Sequence, residues 1–112
     1  MSRRPAIGTT LWTVREHLYY IPGQAGPEME YVVCDSTVTG FYEGGYVEIC
    51  TIGLSPGGYR TPYKHKLSDL GRNVFFTARE AAELAARETE QYESKWRKLG
   101  YAPLRRTWEK YL

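Results

Sequence analysis

The residues to weigh first for chemistry are Cys34, Cys50, His17 and His65, the two cysteines and two histidines of the chain. A thiol becomes a nucleophile when an imidazole takes its proton and a third group orients the imidazole. Neither an orienting Asn or Asp in that pattern nor an elbow-like turn accompanies these four residues. The cysteines lie sixteen apart without a CxxC, which gives neither zinc-ligand spacing nor a disulfide framework. The spacing therefore predicts packed cysteines and surface histidines on strands, with no catalytic residue, no metal site and no cofactor.

Other chemical readings are equally thin. Gly44-Gly45 and Pro56-Gly57-Gly58 could cradle a phosphate, but neither pair precedes a helix or carries the Lys-Ser/Thr of a P-loop, so both read as hairpin turns. Glu16, Glu43 and Glu48 could pair for acid and base work. On the polar faces of strands, solvated glutamates are the default.

Contact chemistry has more support. Of ten tyrosines, seven fall in the first half or just beyond it: Tyr19, Tyr20, Tyr31, Tyr42, Tyr46, Tyr59 and Tyr63. That exceeds what a small core buries, so some must be exposed, where they could stack bases or meet a protein. Residues 95–112 (KWRKLGYAPLRRTWEKYL) hold six basic residues against one acidic, a net of +5 in a chain of net +2. The candidate partner-binding residues are Lys95, Trp96, Arg97, Lys98, Tyr101, Arg105, Arg106, Trp108, Lys110 and Tyr111. They admit three uses: cations complementing a helix dipole, phosphate contacts, or docking on a protein through a tryptophan anchor.

The elements that position these residues follow from period and punctuation. Residues 11–21, 30–39, 45–54 and 59–65 are strand candidates rich in Val, Ile, Tyr and Thr, separated by Gly and Pro turns that imply antiparallel neighbours. Pro62 makes the fourth an edge strand or only partly a strand. Residues 73–76 form a short fifth strand. At Thr77 a capping box with Glu80 opens a helix, with Phe76 placed to staple onto Ala81. Ala78, Ala81, Ala85, Thr89, Tyr92, Trp96 and Leu99 make its apolar stripe, and Gly100 stops it. Such a helix spans roughly 30 Å, so its end is expected to project beyond the body. Pro103 then starts a short tail helix carrying Leu104, Trp108 and Leu112.

The fold class expected is α+β: a small antiparallel SH3-like β-barrel, or a curled sheet, followed by one long amphipathic helix and a short tail. With 112 residues the chain makes a single domain: 1–76 the β-rich body, 77–99 the helix, 100–112 the basic-aromatic tail. No run reaches membrane-spanning length and residues 1–12 lack a secretory pattern, so a cytoplasmic location is expected.

Residues 69–85 (DLGRNVFFTAREAAELA) resemble a signature found near the end of many small, mostly uncharacterised proteins of phages, prophages and plasmids in Gram-positive bacteria. Asp69, Leu70, Gly71, Arg72, Val74, Phe75, Thr77, Arg79, Glu80 and Ala81 carry the likeness. Asn73 departs from it, where Thr is common, and the chain runs over thirty residues past Ala81, where many such proteins stop. The resemblance implies an accessory gene of a mobile element, a group in which some proteins disarm host defences such as CRISPR. It assigns no functional residue. The function expected is a non-enzymatic interaction protein, a host-defence antagonist of anti-CRISPR type, that blocks a host protein or nucleoprotein. The alternative is a small SH3-like nucleic-acid-binding protein using exposed tyrosines and the basic tail.

Overall fold

A computed structural model describes residues 4–19, 22–23, 28–52, 60–96 and 104–112. Five strands form one antiparallel sheet: β1 (Thr10–Tyr19), β2 (Glu28–Tyr42), β3 (Tyr46–Ile52), β4 (Arg60–Lys66) and β5 (Val74–Phe75). Their order is β4-β3-β2-β1-β5, with β4 and β5 at the edges. The sheet is not closed into a barrel; the curled-sheet alternative is the one observed. Pro62 lies on edge strand β4, where its missing N–H costs no ladder bond to a further strand. The β2–β3 hairpin turns through Gly44 and Gly45, both at positive φ (88° and 83°), a conformation that side-chain-bearing residues resist.

Alternation along the strands makes both faces apolar. On one face Leu11, Val38, Val47, Ile49 and Val74 are buried together, with Phe41, Tyr63, Leu67 and Leu70 against them. On the other, Tyr31, Val33 and Phe75 pack with Ala81, Ala82, Ala85 and Trp108. The helix α1 (Ala78–Trp96) covers that second face over β1, β2 and β5. Among the described residues no α-helix covers the first face, and there the sheet curls on itself. The Arg15 guanidinium of β1 lies 4.0 Å from the ring centre of Tyr63 on β4, although two strands separate them in the sheet.

Residues 69–85 form the joint between these two cores. A 3-10 helix at Leu67–Asp69 leads to a turn in which the Asp69 carbonyl accepts the amides of Arg72 and Asn73, both at 2.9 Å. Gly71, at φ 85°, lets its amide reach the Val74 carbonyl at 2.8 Å. The two residues of β5 then point opposite ways: Val74 fills the concave core and Phe75 the helix-side core. Thr77 caps α1, its hydroxyl oxygen accepting the Glu80 amide at 3.2 Å and its proton going to the Glu80 carboxylate at 2.8 Å. The return bond is thus side chain to side chain, where the capping box predicts the Thr77 amide. Phe76 stays 37% exposed, so it is not sealed into the core.

The tail does not behave as its composition suggests. It returns across α1 to close the helix-side core, and its last turn is a 3-10 helix at Thr107–Tyr111, where a helix from Pro103 was expected. Trp108 is 4% exposed and its indole N–H donates to Thr89 at 3.2 Å, while the Thr89 hydroxyl donates to the Ala85 carbonyl at 2.7 Å. An aromatic ring beside an alanine stripe fills the space those small side chains leave. Among the described residues no helix is long and apolar enough to cross a membrane.

Trp108→Ala should therefore cost about 3–5 kcal/mol of folding stability, against about 0.5–2 kcal/mol for Thr77→Ala. Denaturant melts of the two variants check the ranking. A chain cut after Gly100, which the sequence alone suggests should fold, is expected to lose at least as much as Trp108→Ala.

Candidate functional site

The ten tail residues singled out by sequence separate into distinct environments. Lys95, Arg105 and Lys110 are exposed. Trp96 is half-buried, its ring 6.1 Å from that of Tyr92 with the Lys95 ammonium 5.2 Å from it. Tyr111 is half-buried against Trp12 at 5.7 Å. Trp108 is inside the core, and Arg106 donates to Glu93 at 2.5 Å. Arg97, Lys98 and Tyr101 lie outside the described residues.

Glu93 is the residue that sequence reasoning missed. Its side chain is buried, accepts the Leu104 amide at 3.3 Å as well as the Arg106 guanidinium, and so ties the tail to the helix. Thr107 adds a bond to the buried Glu30 at 3.1 Å. A signal was present: Ala81, Ala85, Thr89 and Glu93 are spaced by four, and the buried row runs through Glu93 rather than Tyr92. The tail's strongest anchor and one of its cations thus serve this chain's own fold.

An ordered aromatic surface lies instead on β2, β3 and β4. Glu48 sits between the core residues Val47 and Ile49 and so faces the opposite side, across from Lys64. A bulge between Val38 and Gly40 aligns Tyr42 with Tyr46. The Tyr42 hydroxyl and the Thr39 hydroxyl, the latter at 2.8 Å, both donate to the Glu48 carboxylate. The Lys64 ammonium lies 4.3 Å from the Tyr46 ring and 5.2 Å from that of Tyr42. The Tyr42 bond, then the Thr39 bond, hold the Glu48 carboxyl below its ordinary range, and the same carboxylate raises Tyr42. Tyr42 remains 46% exposed, with Pro62, Lys64 and Lys66 exposed beside it.

The concave face holds Cys34 and His65. A cavity of about 150 Å³ is lined by Thr13, Arg15, Thr51, Tyr63, His65 and Asn73 among others. Burial lowers the His65 pKa, opposed by Asp69 and assisted by Arg15. Burial also raises the Cys34 thiol, an effect that Arg15 offsets in part. Cys34 is buried, donates weakly to the Val32 carbonyl at 3.8 Å, and is free, as is the half-buried Cys50. Cys50 alternates with Ile49 and Thr51 and so faces the other side of the sheet. Among the described residues no three His, Cys, Asp or Glu side chains gather into a metal-holding group. Comparison with protein-family models, with characterised proteins and with solved structures finds no match.

Two outcomes follow at this face. A buried thiol with a raised pKa should resist alkylation at pH 8, so iodoacetamide should label Cys50 well ahead of Cys34 until the chain is unfolded; mass spectrometry checks the order. His65, held below its ordinary 6.5, takes its proton in the unfolded chain first as pH falls. Its contribution to stability is present above about pH 6.5 and is lost as pH drops towards the folded pKa. The fall in Tm between pH 7 and pH 5 should be smaller in His65→Gln.

Proposed function

We propose that this protein is a non-enzymatic interaction protein that acts by covering a surface of a partner protein, with the Tyr42, Tyr46 and Lys64 face as its contact. The observation that carries this reading is that the face is organised before any partner arrives. Thr39 and Tyr42 are bonded to Glu48, and Lys64 rests between two rings, so little side-chain entropy remains to be lost on contact. Tyrosines fixed in this way give large contact area with a polar tip, a combination enriched at protein interfaces.

Glu48 favours a protein over a nucleic acid. Its ionised carboxylate stands among the tyrosines and would repel a phosphate chain threading between them, whereas a protein can offer it a donor. The likeness of residues 69–85 supports the wider setting: an accessory protein of a phage or other mobile element that antagonises host defence in the manner of an anti-CRISPR, acting in the cytoplasm on a host protein or nucleoprotein. The curl of the sheet supports an SH3-like half-barrel as its ancestry.

The test is recovery from a Gram-positive host lysate with and without nuclease, followed by titration of the recovered partner. One protein retained after nuclease, with affinity about 30-fold weaker for Tyr46→Ala (about 2 kcal/mol), is the expected result. Recovery of many proteins that nuclease abolishes, with affinity falling steeply with salt, would replace this reading by the nucleic-acid one.

A further inference from the structure

β5 pairs with only two residues of β1 along its outer side. It pairs there at Trp12–Phe75 and Thr13–Val74, and the chain departs from that line at Asn73, inside the turn. From Val14 to Tyr19, β1 is paired with β2 on one side, and among the described residues no strand lies on the other. The Val38 amide donates to the Thr9 carbonyl at 2.9 Å, which sets the alternation of the ladder. Odd-numbered residues of β1 bond towards β2. The Thr13–Val74 pairing takes the Val14 amide to the Asn73 carbonyl, so the Val14 carbonyl and the N–H and C=O groups of Glu16 and Leu18 point to the side that β5 leaves.

Two cavities flank this open edge, one on each face of the sheet, and Val14 and Asn73 line both. On the helix side, a cavity of about 310 Å³ lies between β1 and α1, lined by Glu16, Tyr31, Leu84 and Glu88. Neither Glu16 nor Glu88 is in an ion pair among the described residues. Their charge is felt at Tyr31, whose pKa burial raises first and these two carboxylates raise further. Leu18, in the same row as Glu16, is 59% exposed. On the concave side the cavity of about 150 Å³ has Arg15 and His65 in its wall. The opposite edge, β4, is guarded by Pro62, Lys64 and Lys66, residues that discourage strand pairing. The outer side of β1 carries no proline.

We propose that this edge receives an extended segment of a partner protein as a sixth strand beside β1, with a lysine or arginine of that segment entering the cavity between Glu16 and Glu88. Main-chain bonds to Val14, Glu16 and Leu18 supply affinity, and the two flanking cavities read alternate side chains. The cation belongs on the helix side, where two unpaired carboxylates meet it. The residues next to it in the strand face the smaller cavity, where Arg15 excludes a second cation and the volume favours small side chains. An apolar residue two places along covers Leu18. This surface lies across the sheet from the Tyr42 and Tyr46 face, and the two stand or fall separately.

The experiment uses the full chain, labelled with ¹⁵N, and synthetic nonapeptides with Thr in one row, Val in the other and a central Lys, norleucine or Glu in the Val row. In the free protein the amides of Glu16 and Leu18 should exchange rapidly with solvent while those of Thr13, Val14 and Arg15 are protected. The lysine peptide should slow the two exposed amides at least tenfold and shift their resonances. The norleucine and glutamate peptides should bind at least tenfold more weakly, as should the lysine peptide to Glu88→Gln, and Tyr46→Ala should change nothing. Protection of those two amides in the free chain would overturn the proposal by showing the line already filled. So would equal affinity for all three peptides, perturbations mapping to another surface, or no perturbation by the lysine peptide at millimolar concentration. Protection that grows with protein concentration alone would assign the edge to a second copy of this chain instead.

Discussion

The structure depends on one constraint: a five-stranded sheet that is apolar on both faces, with one α-helix among the described residues to cover them. Each face must leave water, since exposed Leu, Val and Ile rows would forfeit about 25 cal/mol for every Å² of apolar surface. The helix satisfies one face. The other is shielded by curling β4 towards β1 until Arg15 rests on Tyr63, and by the insertion of Leu67 and Leu70. Curling in turn separates the strand edges and leaves a cavity lined by β1, β3 and β4 on the concave side.

The short strand β5 reconciles the two faces. Because successive side chains alternate, two residues suffice to send Val74 into one core and Phe75 into the other. Its brevity also leaves β1 paired with β5 only at Trp12 and Thr13, where a longer β5 would have run along the rest of the strand. The cap at Thr77 then starts α1 immediately, which aims the alanine row at β1 and β2. Close approach is possible because alanines present no bulk, and the remaining space is filled by Trp108.

Polar groups specify how the tail closes. Glu93 is held in a buried position by an amide and a guanidinium, and Glu30 by the Thr107 hydroxyl. A buried carboxylate without such donors would be costly, so the tail and the helix are obliged to meet in one register. This is why cations that look available in the sequence are not equivalent in the fold. Arg106 is engaged within the molecule, while Lys95 and Lys110 remain at the surface.

The strands and their antiparallel sequential neighbours, the edge position signalled by Pro62 and the cap at Thr77 were legible in the sequence, because each is a local preference of backbone geometry or of side-chain alternation. What it could not determine was which aromatic and charged residues would find partners far along the chain. Trp108 meets Thr89, Arg106 meets Glu93, and Arg15 meets Tyr63 only because the sheet curls and the tail folds back, and no periodicity in the chain encodes those meetings. The open edge of β1 has the same origin. Its strand pattern is local, but whether a neighbour lies beside it is settled by where the rest of the chain goes.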